Sequence, residues 1–251
     1  MTTAKEIYDF INGFAPFDTQ MSFDNAGLLI GDENTASDMV IVSLDVTSEV
    51  IQEACRKNAK IIVTHHPVIF NPLKTISSHS VPYMAAKSNI TIISAHTNLD
   101  IARGGVNDTL AECAGVIAEK YFDDVCMLTG HLEEPTYSTA FAADLMNTLD
   151  ISGMRFTDVC PKIYKVAVSC GAGGNNIFLA QKQGVDAFIT GEMKHHEILF
   201  ANEHNISVFD LGHFNSEDLI IPKLVSSLSN FFPDTIFQKS EIFSDKLIYL
   251  N

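Results

Sequence analysis

His65 and His66 stand side by side ahead of Pro67, where an apolar run gives out. Two adjacent imidazoles at a strand end, with Pro67 favouring an extended backbone at His66, can reach two adjacent ions. A second pattern occurs twice: His96-x-Asn98-x-Asp100 and His213-x-Asn215-x-Glu217. If the chain is helical there, each His and the carboxylate four residues later share one face. Imidazole and carboxylate together suit zinc, iron, manganese, cobalt or nickel, and a carboxylate can bridge two ions. A third cluster, Glu192, His195, His196 and Glu197, can supply ligands, proton carriers or substrate contacts; an ordinary polar helix start has the same composition. His79, His131 and His204 lie in polar stretches and read as surface or structural residues.

These clusters need elements that end together, and the sequence supplies them as a repeat. An apolar strand at 40–44, a helix at 48–57 and an apolar run at 61–63 lead to His65. A strand at 166–169, a helix at 176–183 and a strand at 187–190 lead to the 191–197 cluster. Val42 and Ser43 align without a gap on Val168 and Ser169, Ala54 on Ala180, and Thr64 on Thr190. Each unit is followed by a further strand that ends at one copy of the His-x-Asn-x-carboxylate pattern. Strands alternating with helices signal a parallel sheet, whose functional groups gather beyond the carboxyl ends of its strands. The expected fold is therefore α/β, two similar lobes from an internal duplication, divided as residues 1–125 and 126–251. Gly130 and Pro135 mark the boundary region at 123–137. The 171–175 stretch (GAGGN) has neither the dinucleotide fingerprint nor a P-loop Lys-Ser/Thr, and reads as a tight strand-to-helix turn.

Composition narrows the function classes. With 251 residues, 46% of them hydrophobic, a sizeable core is available. No run of about 20 apolar residues is present to cross a bilayer. The N-terminus lacks the pattern of a signal peptide, and Ile7, Phe10, Ile11 and Phe14 fall at helical spacing. The five cysteines, an odd number without a Cys-x-x-Cys pair, read as reduced thiols, so a cytoplasmic protein is expected. A net charge of −15 opposes direct binding to nucleic acid.

Five stretches, read together, resemble the NGG-interacting-factor-three-like family of dinuclear metal proteins, whose bacterial members are often labelled homologues of GTP cyclohydrolase I type 2. They are 23–32 (FDNAGLLIGD), 63–70 (VTHHPVIF), 94–108 (SAHTNLDIARGGVND), 190–197 (TGEMKHHE) and 212–217 (GHFNSE). They occur in the family's order over nearly the whole chain. The family commonly has Trp in the first stretch; Phe23 stands there, a change expected to affect packing and not the metal site. The resemblance implies a three-layer α/β/α arrangement with a metal pair in the cleft between the lobes, in the short form without an inserted domain. It also implies a homohexamer. It maps the metal ligands onto His65, His66, Asp100, His213 and Glu217. His96 is placed beside the metals as a proton-transfer residue, whereas the duplication alone would make it a ligand like His213. His195 and His196 are expected to line the same cleft as further proton carriers. The activity implied is metal-dependent hydrolysis of a small molecule, GTP if the label holds, through opening of the purine imidazole ring. The alternatives are a two-metal phosphoesterase or nucleotide hydrolase, and a non-catalytic metal-binding interaction protein.

Overall fold

The computed structural model describes residues 1–248. The chain forms two compact units. The first takes Met1–Ala102 and Ile220–Ser244; the second takes Arg103–Leu219 and the terminal segment from Asp245.

The first unit opens with a short strand β1 (Thr2–Thr3) and helix α1 (Ala4–Phe14). Thr3 and Glu6 form a reciprocal capping box at the start of α1, and Ile7 and Ile11 are fully buried, as the helical spacing requires. Then follow β2 (Gly27–Ile30), β3 (Ala36–Ser37), β4 (Met39–Ser43), α2 (Ser48–Arg56), β5 (Ile61–Thr64), α3 (Val81–Lys87), β6 (Thr91–Ser94) and α4 (Thr97–Ile101). The second unit contains α5 (Val106–Cys113), β7 (Val116–Phe122), β8 (Met127–Tyr137), α6 (Ser138–Leu149), β9 (Arg155–Phe156), β10 (Lys162–Ser169), α7 (Ile177–Lys182), β11 (Ala187–Thr190), α8 (His195–Glu203), β12 (Ser207–Asp210) and α9 (His213–Glu217). The chain then returns to the first unit with α10 (Ile220–Phe231) and β13 (Ile236–Lys239).

The sheet of the first unit has the order β13-β4-β5-β6-β2, with β2 antiparallel to β6 and the other pairs parallel. Ile41, Ile62 and Ile92 sit opposite one another on one face, packed against Val50, Ile51 and Ala54 of α2 and Ala85 of α3. Their neighbours Val40, Val42, Ile61, Val63 and Ile93 are equally buried, so both faces are covered. The second sheet has the order β7-β8-β10-β11-β12-β9, with β10, β11 and β12 parallel. Ala167, Phe188 and Val208 pack with Ile177 and Ala180 of α7 and Ala201 of α8. Phe209 points to the other face and meets Phe141 of α6 edge-on, with ring centroids 5.0 Å apart.

The repeat is present at the level of register. Ser43 pairs with Thr64 and Thr64 with Ser94; in the second unit Ser169 pairs with Thr190 and Thr190 with Asp210. In both sheets an antiparallel strand, β2 or β9, closes the edge beside the last strand of the parallel run.

These units differ from a division at 125/126 for two reasons. Strand β7 pairs along its length with β8, so residues before 125 belong to the second sheet. Strand β13 pairs with β4, from Ile236 opposite Met39 to Lys239 opposite Val42, so the C-terminal segment belongs to the first. Gly130 is not an interruption either. It lies inside β8, where a Cβ would come 2.1 Å from the Ile117 carbonyl oxygen, so the two backbones approach closely only because glycine is there. Pro135 falls in the irregular stretch where the β8–β10 register shifts, between Thr136 opposite Ile163 and His131 opposite Lys165. Among the described residues, no helix is long and apolar enough to cross a membrane.

Candidate metal centre

Beyond the carboxyl ends of β4, β5 and β6, the first unit gathers Asp45, His65, His66 and His96. The backbone N–H groups of His65 and His66 donate to the carbonyls of Ser43 and Leu44, which continues the β4–β5 ladder past Thr64 and fixes both residues. His65 is fully buried. Its Nδ1 donates to the Ala95 carbonyl at 2.8 Å, and its Nε2 lies 3.5 Å from Oδ1 of Asp100. His66 places Nδ1 2.9 Å from Oδ1 of Asp45. His96 places Nδ1 2.7 Å from Oδ1 of Asp24, whose other oxygen accepts from the backbone N–H and the hydroxyl of Thr97. In all three imidazoles the Nδ1 hydrogen has a fixed acceptor, so the lone pair resides on Nε2. Each ring offers one nitrogen, and those three nitrogens lie within 4.8 Å of one another. The imidazoles of His65 and His66, oriented by a carbonyl and a carboxylate partner, with the carboxylate of Asp100 beside His65, fit a transition-metal ion.

Asp24 shows how firmly that orientation is held. Burial pushes its pKa up, but hydrogen bonds from His96 and Thr97 outweigh burial and bring it down from 3.8 to about 2.

The second unit carries a matching but smaller set. Gly171, Glu192 and His213 follow the carboxyl ends of β10, β11 and β12. His213 has Nδ1 2.9 Å from Oε1 of Glu192 and Nε2 3.0 Å from Oε2 of Glu217. Glu217 is buried to within 4% and lies against Gly171, which adopts φ +56°. A Cβ there would sit 2.0 Å from Oε1 of Glu217 and 3.4 Å from Nε2 of His213. The 171–175 turn is thus more than a connector: its first glycine leaves room for the carboxylate.

The two His-x-Asn-x-carboxylate copies are not equivalent in their helices. His96 is the N-cap of α4, and its N–H donates to Oδ1 of Asn98. In the second unit Gly212, at φ +83°, takes the cap position and His213 becomes the first residue of α9. The asparagines are braces in both: Asn98 Nδ2 donates to the Ala15 carbonyl and Asn215 Nδ2 to that of Leu211. One extra residue at the cap therefore gives His96 and His213 different surroundings despite identical spacing in sequence.

The Duf34/NIF3 (NGG1p interacting factor 3) family profile matches residues 2–246. The chain belongs to that family. A Clostridium acetobutylicum relative named GTP cyclohydrolase 1 type 2 homolog is 32% identical over 232 residues, covering 85% of this chain and 84% of its own. A Campylobacter jejuni protein of the same name is 33% identical over 231 residues, covering 90% and 91%. The fold is shared with a Bacillus cereus protein related to NIF3, at a TM-score of 0.89 and 23% identity over 100% of this chain and 99% of that one.

In this Duf34/NIF3 chain, six of the residues singled out by sequence lie beyond strand ends in two groups. His65, His66 and His96 form one, with Asp100 beside His65; His213 and Glu217 form the other. His195 and His196 are solvent-exposed at the start of α8, and the buried acid there is Glu197, which accepts from the Lys194 N–H at 2.7 Å. The orienting acids Asp24 and Asp45 were not singled out from sequence. Asp45 carried a signal, since it follows β4 as His66 follows β5. Asp24 carried none beyond its place in the 23–32 stretch, because its partners His96 and Thr97 are more than 70 residues away.

Proposed function

We propose that this chain is a metal-dependent hydrolase that opens the imidazole ring of the purine in GTP. The observation that carries the reading is the group of three imidazoles, each with Nδ1 held by a carboxylate or carbonyl and one nitrogen each within 4.8 Å of the others. The names of relatives about a third identical to this chain support the substrate. His65, His66, Asp100, His213 and Glu217 would hold two divalent transition-metal ions. Such a pair supplies an activated water and polarises the group under attack.

The remaining residues would manage protons. Asp24, ionised and bonded to Nδ1 of His96, fixes the direction and tautomer of that ring. His96 can therefore take one proton of the water at Nε2 as the oxygen adds to C8 of guanine, and return it to N9 as the C8–N9 bond opens; the second proton passes from the C8 hydroxyl to N7 as the formamide C=O forms. His195 and His196, exposed to solvent, would exchange protons with bulk water.

The test is GTP turnover by protein loaded in turn with zinc, iron and manganese, with ring opening followed by loss of guanine absorbance. Simple phosphoesters run alongside. GTP consumption that stops in His96→Ala while metal stays bound supports the reading. Turnover of phosphoesters alone moves the reaction to phosphoester hydrolysis, and metal-loaded protein inert to both removes the hydrolase reading.

A further inference from the structure

We infer that Phe23 and Phe70 form an aromatic platform beside the imidazole group, on which a planar heteroaromatic ring such as a purine base stacks. The inference rests on the hydrolase reading only for the chemistry that follows binding.

Both rings are large, apolar and open to solvent, Phe23 at 65% exposure and Phe70 at 44%. Phe23 stands where the family commonly has Trp, and most of its surface is open to solvent. The two ring centroids are 6.4 Å apart, and Phe70 meets the His96 ring edge-on at 6.0 Å. His96 in turn lies 5.2 Å from the His65 ring and 5.6 Å from the His66 ring. The platform is thus continuous with the imidazoles.

Its position is fixed rather than incidental. Phe23 directly precedes Asp24, the acceptor for His96. The next residue, Asn25, donates through Nδ2 to the Ile69 carbonyl at 2.6 Å, and Ile69 directly precedes Phe70. Phe70 itself follows His66 by four residues. One hydrogen-bonded pair of loops therefore carries the two exposed rings, the acid that orients His96, and His66. A scattered exposed phenylalanine needs no explanation, but two rings tied into the machinery that orients the imidazoles do.

The chemistry of the ligand follows. Aromatic faces favour offset stacking with another flat π-system, and stacking tolerates any base because every base has a π-face. The net charge of −15 gives no general attraction for an anionic nucleotide. Affinity must come from local contacts, and stacking is the one the exposed rings can offer.

The chain contains no tryptophan, so Phe23→Trp creates a single fluorescent reporter at the platform. With zinc-loaded protein, saturable quenching by guanosine and by GTP, and none by tripolyphosphate, is expected. In calorimetric titrations, Phe70→Ala and Phe23→Ala should each weaken GTP binding about tenfold with zinc content unchanged, as loss of one base-stacking contact does. Equal affinity in both alanine variants, no saturable signal from guanosine or GTP, or the same signal from tripolyphosphate overturns the platform. Stacking without GTP turnover would retain the platform and sink the hydrolase reading; turnover with unchanged KM in both alanine variants would do the reverse.

Discussion

Gly171 and Glu217 are matched to each other: the space a side chain would need at residue 171 is filled by Oε1 of the buried Glu217 carboxylate. Gly171→Ala is therefore expected to displace that carboxylate and to strain a backbone held at φ +56°. Metal affinity should fall at least tenfold, while the circular-dichroism spectrum stays close to that of the wild type. Chelator competition followed by elemental mass spectrometry would check it, and unchanged metal retention would show that Glu217 is not a ligand.

His65 is the most buried of the imidazoles, and His65→Ala should reduce the metal content per chain of protein purified without chelator. About two ions per wild-type chain and fewer in the variant is the expected outcome. No metal in wild-type protein, even after incubation with zinc, iron or manganese, would remove the basis for the hydrolase.

Asp45 is not among the proposed ligands, but its Oδ1 lies 2.9 Å from Nδ1 of His66. Asp45→Ala should weaken metal binding by about 10–100-fold, the usual effect of losing an orienting partner. His66→Ala should weaken it further, and measured affinities in the opposite order would argue that Asp45 itself is the ligand.

Asp24 has a folded-state pKa of about 2 against an ordinary value of 3.8. Folding thus favours the ionised form, and the stabilisation of about 2 kcal/mol is complete above pH ~4 and lost as pH falls towards 2. In urea unfolding of metal-free protein, the stability gap between wild type and Asp24→Asn should narrow by about that amount between pH 5 and pH 2. A gap constant across that range would mean that the hydrogen bonds to Asp24 do not depend on its charge.

Gly130→Ala would force a Cβ against the Ile117 carbonyl, a backbone atom that can move only by deforming the β7–β8 hairpin. A loss of about 1–3 kcal/mol in unfolding free energy is expected, with metal content per folded chain preserved.

The repeat was legible because both its signals are local: apolar runs of strand length and polar residues just beyond them. The strands at 61–63 and 187–190 were placed to within a residue, and His65, His66, His96 and His213 were all found beyond strand ends. What escaped depends on contacts between distant segments. Gly130 looks like a strand breaker until Ile117 is known to lie against it, and Asp24 looks like a loop acid until His96 reaches it. The C-terminal strand was assigned to the second lobe because nothing near Ile236 announces a partner at Met39.

That last pairing bears on how the chain is made. During synthesis the first sheet must wait, with one edge of β4 unpaired, until nearly the whole polypeptide has emerged to deliver β13. The intervening unit, contiguous through Arg103–Leu219, has all its strands available earlier. An exposed parallel edge is a template for wrong partners. Nascent chains stalled before residue 236 should therefore be the species most prone to aggregate and the one most in need of a chaperone.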